Sequence, residues 1–268
     1  MQSSRSVSTE AFVRLVVDIG NTTTTLAMFA GEAEPSVESV QSTLFGEPKA
    51  VAELFLSLAH RHGTPQAVAV CSVVPAAAAS CSAQLESLFS VSVVTIAASL
   101  RLPFQLDYAT PHTFGADRIA LCAWSRHLFG DRPVIAVDIG TAITFDVLDA
   151  EGNYRGGLIM PGIDMMAGAL NSRTAQLPLV DIDKPESLLG RSTIECIRNG
   201  IFWGAVRQIA GLIDAIGAEL LGESKAAPAE VLVTGGNSRI IAPEIASITH
   251  LDELAVLRGI DLLLRLNS

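Results

Sequence analysis

The sequence predicts an α/β protein made of two duplicated lobes, and three observations predict it. An apolar, β-branched run ending in Asp-Ile-Gly, a threonine turn and a second β-rich run occur at residues 14–28 (RLVVDIGNTTTTLAM), and the same order returns at 133–147 (PVIAVDIGTAITFDV). Around these echoes, short β-branched runs alternate with helical apolar patterns, the order of an α/β fold. The 268 residues are 49% apolar and 17% charged, which is enough to fill the cores of two lobes.

Each echo reads as a β-hairpin whose turn carries an acid and hydroxyls, with Gly20 and Gly140 allowing a ligand close to the backbone. A duplicated unit of this kind places its ligand between the two hairpins. Helices are expected over 48–62, 76–89 and 117–128, and strands over 67–71, 91–96, 153–159 and 230–234. The longest helix is expected to start near Ser192, where Ser192-x-x-Glu195 matches a capping box. Its apolar positions run from Ile197 through Ile216. Glycines at 200, 204, 211 and 217 would each cost it about 1 kcal/mol against Ala. Close packing against another element is the expected reason for keeping them. A helix over 252–266 closes the chain, and 222–228 reads as a polar loop. The lobe boundary is expected near 111–115, dividing an N-terminal lobe, 1–114, from a C-terminal lobe, 115–268; residues 1–10 read as disordered.

Charge and cysteine usage exclude several functions. The net charge of −10 at pH 7, with His neutral, argues against nucleic acid or an anionic membrane as partner. It leaves room for a small phosphate ligand held by backbone N–H groups and a metal ion. The four cysteines form no C-x-x-C pair and read as reduced thiols in a cytoplasmic protein. The uncharged stretch over 62–85 is broken by Gly63, Pro65, Gln66 and Pro75, so a strand, a turn and a helix fit it better than a membrane span. Walker, dinucleotide, serine-hydrolase and zincin motifs are absent.

The chemistry-bearing residues cluster in the echoes. Asp18 and Asp138 each end an apolar strand before a glycine. A single such acid reads as a turn starter. Two in matched hairpins point to a hard cation with bound phosphate. Asn21, Thr22, Thr23, Thr24, Thr25, Thr141 and Thr144 surround them as hydroxyl and N–H donors. Thr23 and Thr25 equally suit plain strand positions. The Gly-Gly turn in Thr234–Asn237 either covers an adenine or ribose or is a plain strand-to-helix turn. Asp117, at a helix start, is either a cap or the acceptor of a substrate proton. Arg118 is either a surface charge or an anion ligand. Residue physics alone singles out neither Tyr108 nor Thr193.

These motifs form an ordered set: DIGNTTTT at 18–25, SVVP at 72–75, GADRIA at 115–120, DIGTAITFD at 138–146, GGLIMPGIDMMAGAL at 156–170, RTAQLP at 173–178 and TGG at 234–236. In this set the chain resembles the type III pantothenate kinases of the acetate and sugar kinase/Hsp70/actin superfamily. The resemblance implies two ribonuclease-H-like (actin-like ATPase) lobes with a cleft between them. It implies ATP-dependent phosphorylation of the primary hydroxyl of pantothenate, the first step of coenzyme A synthesis. Asp18, Ile19, Gly20, Asn21, Thr22, Thr23, Thr24 and Thr25 would form the first phosphate loop, with Asp18 near Mg²⁺ and Thr141 a second ATP contact. Tyr108, Gly115, Ala116, Asp117, Arg118 and Thr193 would bind pantothenate, with Asp117 taking its proton. Asp138 matches the ligand of a monovalent cation, K⁺ or NH₄⁺. A homodimer with the substrate pocket near the subunit interface is also implied. TAIT stands where TATT is frequent, and Thr25 stands where some members carry lysine.

Overall fold

A computed structural model describes residues 12–223 and 228–268. The stretch expected to be disordered, 1–10, lies outside the described residues, as do positions 224–227 of the expected polar loop. Two compact units emerge. One holds residues up to Leu100 together with Gly115–Asp117 and Ile260–Ser268, and the other holds Arg101–Phe114 and Arg118–Gly259. The boundary expected at 114/115 coincides with one segment end of this division, in which Gly115–Asp117 and Ile260–Ser268 group with the first unit.

In the first unit, β1 (Val13–Ile19), β2 (Thr23–Ala30) and β3 (Ser36–Gln41) form an antiparallel meander. Helix α1 (Pro48–His62) follows, then β4 (Ala67–Ser72), α2 (Pro75–Phe89) and β5 (Val93–Thr95). The sheet order is β3-β2-β1-β4-β5, with β4 and β5 parallel to β1. Strand β1 is apolar almost throughout because both its faces are covered. Leu15, Val17 and Ile19 enter a core with Phe55, Leu58 and Leu85 from α1 and α2. On the opposite face Arg14 pairs with the buried Asp261 of the chain-closing helix at 2.5 Å.

The second unit repeats this plan. Helix α3 (Ala116–Phe129) leads to β6 (Val134–Ile139), β7 (Ala142–Leu148) and β8 (Tyr154–Pro161). Helices α4 (Ile163–Arg173) and α5 (Thr193–Glu223), β9 (Glu230–Thr234), the short α6 (Ser238–Ile241), β10 (His250–Leu251) and α7 (Ala255–Asn267) complete it. The sheet order is β10-β9-β6-β7-β8, with β6, β7 and β8 antiparallel and β9 and β10 parallel to β6. Strand for strand this is the first sheet again, so the sequence echo is a duplication of architecture. Ile135, Val137 and Ile139 pack with Ile197, Phe202, Val206 and Ile209 of α5. Val134 and Ala136 face the other way, onto Leu121 and Phe129 of α3 and Ala255 of α7.

The capping box of α5 forms: the Glu195 N–H donates to Ser192 Oγ (3.3 Å), and the Arg191 N–H donates to Glu195 Oε2 (2.6 Å). Thr193–Leu220 is the one helix among the described residues whose length and composition would allow it to cross a bilayer, with 33% of its apolar window buried. One of its faces supplies core to the second unit. The expectation of close packing at Gly200, Gly204, Gly211 and Gly217 is overturned. A Cβ at any of them meets nothing within 4 Å among the described residues of the chain. One glycine that packing does require is Gly259 on α7. A Cβ there would fall on the backbone carbonyl of Ala120 on α3. Gly259→Ala is expected to cost about 1–3 kcal/mol by forcing the two helices apart. A lowered urea midpoint with an unchanged slope checks this.

Candidate active site

The two hairpins place their acids alike. Asp18 sits one residue from the end of β1, opposite Thr25 on β2 and beside Cys71 on β4. Asp138 sits one residue from the end of β6, opposite Thr144 on β7 and beside Thr234 on β9. The Gly20 N–H donates to Thr23 O at 3.1 Å, and the Gly140 N–H to Ala142 O at 3.0 Å. The first turn is one residue longer, since Ile19 pairs with Thr24 whereas Ile139 pairs with Ile143.

That extra length leaves Asn21, Thr22 and Thr23 exposed. Thr24 is buried, and its hydroxyl shares a 2.9 Å hydrogen bond with Ser42, whose own hydroxyl donates to Gly20 O at 2.7 Å. Thr25 shares a 3.3 Å bond with Ser39. The threonine run is therefore divided, with Thr22 and Thr23 open to a ligand and Thr24 and Thr25 tied to the segment that braces the loop. Ser42 was not legible from the sequence, because nothing local in LFG-flanked STL marks it as a loop brace.

Asp18 is held far from its ordinary behaviour. Burial, together with the nearby charge of Asp117, raises its pKa from 3.8 to about 7, against the opposing hydrogen bond from the Cys71 thiol. Cys71 is itself pushed well up, first by burial and then by the charges of Asp18 and Asp117, so it stays a thiol. Asp18 and Asp117 belong to the same compact unit, and Asp18 feels the charge of Asp117. A carboxylate in that condition is suited to a cation, which would restore its ionised form. Among the described residues no group of three or more His, Cys, Asp or Glu could hold a metal ion by itself. One carboxylate fits Mg²⁺ arriving with nucleotide phosphates, since that ion keeps most of its shell outside the protein.

The second hairpin offers a different oxygen set. The Thr144 hydroxyl, in register with Asp138, is buried without a hydrogen-bond partner, and so is that of Ser238 just beyond the Gly-Gly turn. These are hard oxygen donors, the type that suits K⁺. Gly235 has φ +98°, and a Cβ there would overlap Asp138 Oδ1. The first glycine of the TGG turn is needed for close approach to Asp138. Asn237 donates from its side chain to Asp164 at 2.9 Å. Thr141 is exposed at the tip of the turn.

The remaining candidates fall in two places. Tyr108, Phe114 and Tyr154 form an edge-to-face cluster with ring centroids 5.0–6.0 Å apart. The Arg118 guanidinium lies 4.4 Å over the Phe114 ring. Arg118 is buried, so the surface-charge reading is removed. Burial works against its charge, but the Asp146 carboxylate outweighs this and raises its pKa. Thr193 opens α5 and lines a separate cleft of about 710 Å³ with Leu170, Leu177, Arg191 and Cys196; none of Tyr108, Gly115 and Arg118 lines it.

A family model described as type III pantothenate kinase matches residues 14–215. Over all 268 residues, and over the whole of the relative's length, the chain is 98% identical to a type III pantothenate kinase of Chlorobaculum parvum.

The chain belongs to the type III pantothenate kinase family.

Solved structures agree at the level of fold. A Baf-family protein of Campylobacter jejuni, described as a conserved putative transcriptional activator, is similar with a TM-score of 0.54 and 19% identity, covering 94% of this chain and 97% of that one. The activator of 2-hydroxyisocaproyl-CoA dehydratase from Clostridium difficile, solved with ADPNP, gives 0.53 and 14%, covering 94% of each chain. Both lobes thus have the actin-like ATPase fold. The residues its sequence did not single out, Cys71, Asp146 and Tyr154, act on the candidates through strand pairing and burial. Asp146 alone carried a signal, as an acid inside the apolar run ITFDVL.

Proposed function

We infer that the chain transfers the γ-phosphoryl group of ATP to the primary hydroxyl of pantothenate, giving 4'-phosphopantothenate and ADP. This is the first step of coenzyme A biosynthesis. The observation that carries this reading is near-identity to a pantothenate kinase over the full length of both chains.

The roles follow phosphoryl-transfer logic, in which the protein positions two oxygens in line and neutralises charge. The Asp18–Thr25 loop holds the phosphates through Thr22, Thr23 and backbone N–H groups, with Thr24 and Thr25 keeping its shape. Thr141 makes a second contact with the nucleotide. Tyr108, Gly115, Ala116 and Arg118 hold pantothenate, and Asp117 accepts the proton its hydroxyl loses; Thr193, which lines a separate cleft, stands outside this set. Asp18 would hold Mg²⁺, which supplies charge neutralisation on the transferred group when bound. Asp138, with the unpartnered hydroxyls of Thr144 and Ser238, would hold K⁺ or NH₄⁺, which adds fixed positive charge near the second hairpin. A fold neighbour solved with ADPNP supports the nucleotide assignment.

The enzyme works as a homodimer in the cytoplasm. Free thiols at all four cysteines support the compartment. Apolar surface supports a second copy: Leu158 and Ile159 are exposed on the edge strand β8, and most of the apolar window of α5 lies outside the core.

ADP release is expected to require pantothenate and to be faster in K⁺ or NH₄⁺ than in Na⁺. ADP release that sugars or acetate support and pantothenate does not would refute the acceptor. Equal rates in the three cations would remove Asp138 from its cation role.

A further inference from the structure

Asp146 on β7 is 0% exposed, and its charge is met from two sides. Arg118 Nε donates to both carboxylate oxygens at 3.1 and 3.2 Å, and Arg118 Nη2 donates to Oδ1 at 2.7 Å. Nη2 also donates to the Tyr154 hydroxyl at 2.8 Å, and that hydroxyl donates to Asp146 Oδ1 at 3.0 Å. The Tyr108 ring packs edge-on against Phe114 and Tyr154 beside it, with centroids 5.0 and 6.0 Å away. Room for the guanidinium comes from Gly157, paired with Asp146 across the sheet; a Cβ there would stand 2.8 Å from Arg118 Nη2. Strand β7, the start of β8 and the segment leading into α3 thus meet at one guanidinium.

Stability alone is a poor reason for such an arrangement, since an apolar set of the same volume would serve as well. What the closed hydrogen-bond ring does supply is a single orientation. The Arg118 guanidinium is held by a planar, bidentate pairing that a lysine could not reproduce. The aromatic face of Phe114 then fixes the guanidinium plane.

We propose that Asp146 and Tyr154 are positioning residues for the acceptor substrate: the ring they close holds Arg118, and with it Tyr108, in the geometry that recognises pantothenate. The proposal rests on the assignment of Arg118 and Tyr108 to the pantothenate site. Neither Asp146 nor Tyr154 need touch the substrate.

The test uses the full-length enzyme and steady-state kinetics in both substrates. Tyr154→Phe keeps the aromatic cluster and removes only the hydroxyl. It is expected to raise KM for pantothenate about 10-fold, the effect of losing a hydrogen bond to a charged group. KM for ATP and kcat stay within about 2-fold of wild type. Because the effect passes through Arg118, Arg118→Lys combined with Tyr154→Phe is expected to be no worse than Arg118→Lys alone. Asp146→Asn is expected to exceed Tyr154→Phe in the same direction; if it does not fold, the other two variants decide. An unchanged pantothenate KM in Tyr154→Phe, an equal rise for ATP, or full additivity with Arg118→Lys would overturn the positioning role while wild-type turnover stands. No turnover of pantothenate by the wild type would instead overturn the site assignment, and this proposal with it.

Discussion

Asp117→Asn is expected to lower kcat by about 10²–10⁴, the range for losing a positioned general base, with the fold intact. Asp117 stands at the start of α3, partly buried, in the same compact unit as Asp18. Its charge is one of the two influences that raise the pKa of Asp18. Asparagine keeps the shape and the polar contacts of the helix start but accepts no proton. The same substitution removes a negative neighbour, so Asp18 is expected to titrate lower in the variant. Initial rates on the purified variant, with a thermal midpoint close to wild type, check the catalytic part. Near-normal turnover would remove Asp117 from the reaction.

Asp18→Asn is expected to stabilise the nucleotide-free protein while weakening its use of ATP. The folded state holds a proton on Asp18 up to about pH 7, whereas the unfolded chain releases it near 3.8. Between those values the folded form binds more protons, so wild-type stability falls as pH rises through the window and levels off above it. At about 1.4 kcal/mol per pH unit the loss is at most roughly 4 kcal/mol by pH 8. Asparagine carries no such penalty. Urea unfolding at pH 5 and pH 8, without Mg²⁺ or nucleotide, is expected to show the advantage of the variant widening by about 2–4 kcal/mol toward pH 8. The ATP-dependent rate of the variant is expected to drop by about 10²-fold or more, as for loss of a charge-neutralising group. A gap that stays constant with pH would contradict the buried, proton-holding state of Asp18.

The sequence was legible where a residue's role depended on its neighbours in the chain. The echo of DIG with matched flanks foretold two sheets of the same strand order. Pro48 at the start and basic residues at the end of α1 marked a helix found at the expected bounds, Pro48–His62. Strand β9 likewise lies where the apolar run placed it. Strand β3 was missed because SVESVQ lies at a sheet edge, is largely exposed, and buries too little for its pattern to stand out. Helix α4 was missed because its glycine, asparagine and serine blunt the helical signal that Ile163 and Ala167 carry into the core.

Roles that depend on distant partners were not legible. That Thr24 is tied down while Thr22 is open follows from Ser42, eighteen residues away. Arg118 read equally as surface charge or anion ligand because Asp146, which buries it, is twenty-eight residues further on. Gly235 read either as part of a ligand cover or as a plain turn glycine, because Asp138, which a Cβ there would overlap, lies almost a hundred residues earlier. In each case the deciding contact is a strand pairing or a side-chain bond that local pattern does not encode.

Product analysis by ³¹P NMR, with ATP, Mg²⁺, K⁺ and pantothenate present, decides whether pantothenate is the phosphoryl acceptor. One new phosphomonoester on the primary hydroxyl of pantothenate is expected, formed mole for mole with ADP. Inorganic phosphate as the sole product, or an acceptor left unphosphorylated while ATP is consumed, would contradict it.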